Sequence, residues 1–130
     1  MAPSRLLLDS HVFLWLLQEP QKIGKLTMAS IISGGEACLS IVSIWELATK
    51  YSQKHLDFSP DQLLKAADSS RLTLLPLEAK HVVALPKIIT SHGDPFDKML
   101  LAQGLVESLP LVTADNVLLK SKYQTFDASQ

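Results

Sequence analysis

The sequence predicts an α/β domain, a three-layer α/β/α sandwich around a central, mainly parallel sheet. Two observations carry this. Four short apolar runs, at residues 5–8, 37–42, 72–77 and 109–114, alternate with segments of helical period. Each run is continuously apolar rather than alternating, the mark of strands buried on both faces. Strands alternating with helices imply a parallel sheet with helices on either side.

The elements follow in order. Arg5 to Leu8 reads as a buried strand, and residues 10–17 as a helix ended by Glu19-Pro20. Residues 26–33 form a second helix, stopped by Gly34-Gly35. After the strand at 37–42, Ser43-Ile44-Trp45-Glu46 has capping-box spelling and opens a helix running to about Gln53. Ser59-Pro60-Asp61 opens another, with proline at its first position, that continues to about Asp68. The strand at 72–77 precedes a helix at 78–85 closed by Pro86. Ser91-His92-Gly93 is a loop, and Asp94-Pro95-Phe96-Asp97 starts a long helix ending near Glu107. The strand at 109–114 leads to a short helix at 117–122 and a tail. No repeat, linker or low-complexity run divides the chain, so 1–130 is read as a single domain.

Bulk properties narrow the function. At 47 % hydrophobic and 19 % charged, the chain is too apolar for disorder. Its net charge of −1 gives no global basic field, so nucleic-acid binding requires a local patch or a metal. The single cysteine, Cys38, excludes an internal disulfide and fits a reducing compartment. The apolar N-terminus mimics a secretory leader, but Asp9 and His11 interrupt it and no small-residue cleavage site follows. No stretch approaches the length of a membrane span. The expectation is a soluble, cytoplasmic protein without membrane partners.

Four carboxylates stand out. Asp9 ends the first strand and Asp115 follows the last, while Glu46 and Asp97 fall in the first turns of two predicted helices. Ligands of parallel α/β sheets collect outside the carboxyl ends of the strands. Each acid also has a structural explanation. Asp9 can cap the first helix, although Ser10 can do the same. Glu46 sits at the third position of the capping box and can pair with Lys50. Asp94, before a proline, is a natural cap, which leaves Asp97 as the ligand on the protein-facing stripe with Leu100, Leu101 and Gly104. Asp115 can start an Asx-turn. Clustered carboxylates repel, and Mg²⁺ or Mn²⁺, which prefer oxygen ligands, remove that penalty. Such an ion keeps waters, activates one as nucleophile and stabilises charge on a phosphate.

Other chemistries lack their residues. Histidines 11, 55, 81 and 92 show no zinc spacing. There is no phosphate-cradling glycine loop, dinucleotide fingerprint or nucleophile elbow. His92 beside Asp94 reads as a loop histidine rather than a general base. Phe13, Trp15 and Trp45 read as core rather than as base-stacking platforms.

At these residues the chain resembles a known family, the PIN domains of the VapC-like toxin type found in bacterial toxin–antitoxin pairs. Leu6-Leu7-Leu8-Asp9-Ser10-His11-Val12-Phe13-Leu14-Trp15 resembles the first motif, and Ser40-Ile41-Val42-Ser43-Ile44-Trp45-Glu46 the second. His92-Gly93-Asp94-Pro95-Phe96-Asp97-Lys98-Met99-Leu100-Leu101-Ala102-Gln103 resembles the third and most specific. Leu111-Val112-Thr113-Ala114-Asp115 resembles the fourth, and Asn116-Val117-Leu118-Leu119 fits loosely. The match is collinear over nearly the whole chain. It implies a PIN-like sandwich and a Mg²⁺- or Mn²⁺-dependent endoribonuclease that hydrolyses RNA phosphodiester bonds. It implies Asp9, Asp97 and Asp115 as metal ligands, with Glu46 as a further ligand or orienter of water. Thr113, Ser10 (where threonine is more usual) and Asp94 would support them. Lys50, Lys54 and Lys98 are candidates for the RNA backbone; Lys98 stands where arginine is common and lacks its bidentate fork. The implied partners are a small antitoxin and a second copy in a homodimer. Three rivals remain at this point: a catalytically silent PIN-like binding module, a metal-dependent phosphoesterase acting on DNA or small phosphoesters, and a protein whose main act is complex formation.

Overall fold

The computed structural model describes residues 2–33, 35–91 and 93–130. Gly34 of the Gly34-Gly35 stop and His92 of the expected loop lie outside them. The strands are β1 (Arg5–Leu8), β2 (Glu36–Ser40), β3 (Thr73–Leu75), β4 (Leu111–Thr113) and β5 (Thr125–Asp127). They form one sheet in the order β3-β2-β1-β4-β5, parallel at every pairing. The chain builds outward from β1 through β2 to β3, then crosses to β1's other edge with β4. Neighbouring strands β1 and β4 therefore flank the switch point, where parallel sheets open a crevice at their carboxyl ends.

The helices are α1 (Ser10–Gln18), α2 (Lys25–Ile32), α3 (Ile41–Ser52), α4 (Pro60–Ser69), α5 (Ala79–Ala84), α6 (Pro95–Glu107) and α7 (Asn116–Leu119). Strand alternation sorts the core into two layers. Leu6, Leu8, Leu39 and Val112 face one side, packing with Val12 and Phe13 of α1, Leu47 of α3 and Leu63 of α4. Leu7, Cys38 and Leu111 face the other, with Ala84 of α5, Leu100 and Leu101 of α6 and Leu118 of α7. Leu6, Leu7 and Leu8 are all fully buried, as a continuous apolar run requires of a central strand. Burial pushes the Cys38 thiol up to about 11, so it is an inert core thiol. Among the described residues, no helix is long and apolar enough to cross a membrane.

The structure corrects the sequence reading in several places, among them the strand expected at 109–114, where β4 covers only Leu111–Thr113. β2 ends at Ser40 rather than continuing to Val42, because the Ser40 hydroxyl accepts the Val42 N–H at 3.0 Å and starts α3 at Ile41. Ser43 is then inside the helix, the expected Ser43–Glu46 capping box does not exist, and Glu46 moves from the first turn to the second. β3 pairs only over Thr73–Leu75, since Pro76 brings no N–H to the ladder. The terminal helix starts a residue early, after an Asp115 cap, and stops at Leu119. The tail adds β5, which pairs Leu111 with Thr125 and Thr113 with Asp127. Three residues, one of them charged, are too few to show a strand period.

Ser40 joins these layers. It is fully buried, caps α3, and donates its hydroxyl to Oε1 of Gln103 on α6. Ser40→Ala removes the cap and leaves Gln103 short of a partner. It should cost about 1–2 kcal/mol in urea unfolding, with the m-value unchanged.

Candidate functional site

Asp9 leaves β1 at the switch point. Its backbone N–H continues the ladder to the Val112 carbonyl at 2.9 Å, which fixes the residue before α1 begins. Its carboxylate then has two donors. Oδ1 accepts the Ser10 N–H at 2.7 Å, and Oδ2 accepts the Thr113 hydroxyl of β4 at 2.7 Å. Asp9 is thus both the cap of α1 and a strand-end carboxylate, so the two sequence explanations are compatible. The Thr113 oxygen in turn accepts the Asp115 N–H at 3.1 Å. Asp115 caps α7 through Oδ1, which accepts from Val117 and Leu118 at 2.8 and 3.4 Å.

Glu46 enters from α3. Its Oε1 accepts the Ser10 hydroxyl at 2.8 Å, and that hydroxyl also lies 2.9 Å from the Ser43 hydroxyl. The expected pair with Lys50 is present at 3.6 Å. With the capping box gone, Glu46 has no helix-capping role, yet it is only 8 % exposed. Asp94 caps α6, accepting from Phe96 and Asp97 at 2.8 and 3.2 Å, which leaves Asp97 as the buried acid of that helix's first turn. The residues before the two helix acids touch: Trp45 and Phe96 pack edge-to-face, 4.9 Å apart at 82°. The hydrogen bonds therefore join Asp9, Ser10, Glu46, Thr113 and Asp115 in one network, and the ring contact brings the Asp97 turn of α6 to α3.

Burial raises the Asp9 carboxyl above its ordinary value. The Thr113 hydroxyl, the His11 charge and the Ser10 N–H oppose that rise, and Glu46 adds to it. Two further acids, Glu46 and Asp97, are nearly as buried as Asp9. Carboxylates are seldom buried without a compensating charge, and an all-oxygen donor set suits a hard divalent cation.

The candidate RNA contacts separate. Lys50 is beside Glu46, and Lys98 directly follows Asp97. Lys54 lies past the C-terminal end of α3 in a left-handed turn with φ 62°, roughly 12 Å along the axis from Glu46.

Sequence reasoning assigns Ser43 to a cap and so misses it as a partner of Ser10 in this network, and it gives no role to the separate buried bond between Ser40 and Gln103. The available signal was polarity inside apolar segments: Ser40, Ser43 and Gln103 are all fully buried.

A histidine–carboxylate cluster lies at the opposite end of α6 from Asp97. Ligand atoms of Glu78, His81 and Glu107 fall within 4.8 Å of one another. Its valences are already occupied. His81 Nδ1 accepts the Glu78 N–H at 3.0 Å, so the ring proton on Nε2 faces Glu107 at 2.8 Å. Lys80 bridges both acids, at 3.6 Å from Glu78 and 3.1 Å from Glu107. This is an ion-pair network that fastens α5 to α6.

The family model described as PIN domain matches residues 6–122. Ribonuclease VapC22 of Mycobacterium tuberculosis is 31 % identical over 116 residues, covering 86 % of this chain and 88 % of that one. Two solved structures share the fold. One is VapBC2 of Rickettsia felis bound to a DNA fragment from their promoter, with TM-score 0.69, 14 % identity, and coverage of 94 % of this chain and 96 % of that one. The other is a toxin–antitoxin complex from Klebsiella pneumoniae, with TM-score 0.68, 13 % identity, and coverage of 95 % and 97 %.

The raised Asp9 carboxyl has a thermodynamic consequence. Folded Asp9 keeps its proton to higher pH than the unfolded chain does, so the folded state binds more protons in that window. Metal-free stability should fall as pH rises from aspartate's ordinary value through the raised one. Melting curves across that range should show the fall in wild type, a flatter profile in Asp9→Asn, and recovery of the wild type at neutral pH on adding Mg²⁺.

Proposed function

Because the chain belongs to the PIN domain family, we propose that it is a Mg²⁺- or Mn²⁺-dependent endoribonuclease of the VapC-like toxin type, hydrolysing RNA phosphodiester bonds. The observation that carries this reading is the burial of three acids, Asp9 at the carboxyl end of the central strand, Glu46 hydrogen-bonded to the Ser10 that follows Asp9, and Asp97 in the first turn of α6. Asp9, Asp97 and Asp115 would hold the ion. When bound, it supplies water activation and stabilises charge on the phosphate.

The chain's own residues set the geometry. Thr113 holds Asp9 through one carboxylate oxygen and the Asp115 backbone through its own. Ser10 fixes Glu46 on the site side of α3, where its carboxylate can orient a water or complete the ligand set. Asp94 fixes the first turn of α6 and with it the direction of Asp97. Lys50 and Lys98 would be candidates to meet phosphates next to the cleaved bond, and Lys54 a more distant one. With a net charge of −1, RNA affinity should be modest and should fall with salt. A small antitoxin, a homodimeric state and a cytoplasmic location complete the proposal. The antitoxin is supported by the two structural neighbours, whose own descriptions are of such complexes.

The test is cleavage of a mixed RNA pool by purified protein with Mg²⁺ or Mn²⁺. Cleavage should disappear with chelator, and Asp97→Asn should lower it by about 100-fold or more. Thr113→Val should weaken metal binding about 10–100-fold. Cleavage that survives Asp97→Asn contradicts the assignment. Metal binding without cleavage of any RNA favours a binding module, and cleavage of DNA alone a different phosphoesterase.

A further inference from the structure

The expectation that Trp45 is core does not hold: the side chain is 58 % exposed. Trp15, by contrast, is half-buried against the core on α1. A large indole left in water on an amphipathic helix forgoes the burial that would stabilise it. Trp45 is nevertheless held in place. Its edge-to-face contact with Phe96 at 4.9 Å clamps one side of the indole against α6. Ile41, one turn earlier on α3, is also exposed and extends the same apolar rim.

The position is informative. Trp45 immediately precedes Glu46, and Phe96 immediately precedes Asp97. The aromatic pair therefore bridges the two helices that carry Glu46 and Asp97, with Trp45 turned out to solvent and Phe96 half-buried against the core layer of α6. We propose that Trp45, braced by Phe96, is a stacking platform for an unpaired RNA base next to the scissile phosphate. This rests on the endoribonuclease reading and adds a substrate subsite to it.

Charge supports a base as the occupant. The chain carries a net charge of −1, and Lys50, the lysine nearest Glu46, is already paired with it. Phosphate neutralisation can supply only part of the affinity. Stacking on an aromatic face needs no charge and accepts any base, and it selects single-stranded over paired RNA because paired bases have no free face. The occupant of Trp45 is thus an unpaired base beside the cut.

The experiment measures cleavage of a short mixed-sequence single-stranded RNA with Mg²⁺ by wild type, Trp45→Ala and Trp45→Phe. Trp45→Ala should raise KM about tenfold with little change in kcat, and Trp45→Phe should recover most of that loss. Mg²⁺ binding should be unchanged in both variants. In a Trp15→Phe background the same RNA should quench the Trp45 emission, whereas a duplex should not. If wild type cleaves and Trp45→Ala keeps the wild-type KM, the platform is wrong while the ribonuclease reading stands. An unchanged KM together with lost retention of a co-expressed antitoxin overturns it and gives the surface to a protein. If wild type cleaves no RNA, the ribonuclease reading itself fails, and the platform with it.

Discussion

The Asp9 carboxylate is the constraint on which the rest of the site depends. It stands, only 5 % exposed, at the carboxyl end of the central strand, at the switch point between β1 and β4. Burial raises its carboxyl, and the Thr113 hydroxyl, the His11 charge and the Ser10 N–H offset that rise in part. A carboxylate kept this way opposes stability when ionised, a penalty that the proposed cation would relieve.

Second-layer residues convert that strand end into a site. Thr113 ties Asp9 to the Asp115 turn, and Ser10 ties the start of α1 to Glu46. On the far side, Ser40 caps α3 and bonds Gln103 of α6, whose amide also reaches the Pro76 carbonyl at 3.3 Å. The two acid-bearing helices are thereby referenced to the sheet and to each other by buried polar bonds. Apolar packing alone would allow either helix to slide. Directional bonds between fully buried groups do not, because losing one strands a polar atom in the core.

Much of this was legible in the sequence because it rested on strong local signals. The continuous run Leu6-Leu7-Leu8 could only be a central strand, and Asp9 after it could only be a strand-end acid or a cap; it proved to be both. Asp94-Pro95 fixed the start of α6, so Asp97 fell inward as expected. The failures came where one local signal outcompeted another. Ser40 and Ser43 both spell a cap for α3, and the spacing to Glu46 favoured Ser43, but strand β2 runs out at Ser40 and hands it the role. Trp45 looked like core because helical spacing does not say which face of α3 meets the sheet. β5 is too short to carry a period, and it exists because β4 has an open edge to pair with. The buried bond from Ser40 to Gln103 joins residues far apart in the chain, which no local pattern reports.

The proposed site would hold divalent metal at the carboxyl end of β1 and β4, on Asp9, Asp97 and Asp115 with Glu46 beside them. It is tested most directly by adding substoichiometric Mn²⁺ to isotope-labelled protein and mapping which backbone amide signals broaden. The account predicts broadening centred on the amides next to the four acids, at Ser10, Leu47, Lys98 and Asn116, and its loss in Asp9→Asn. Broadening centred instead on Glu78, His81 and Glu107, or spread over the surface without a centre, would contradict it.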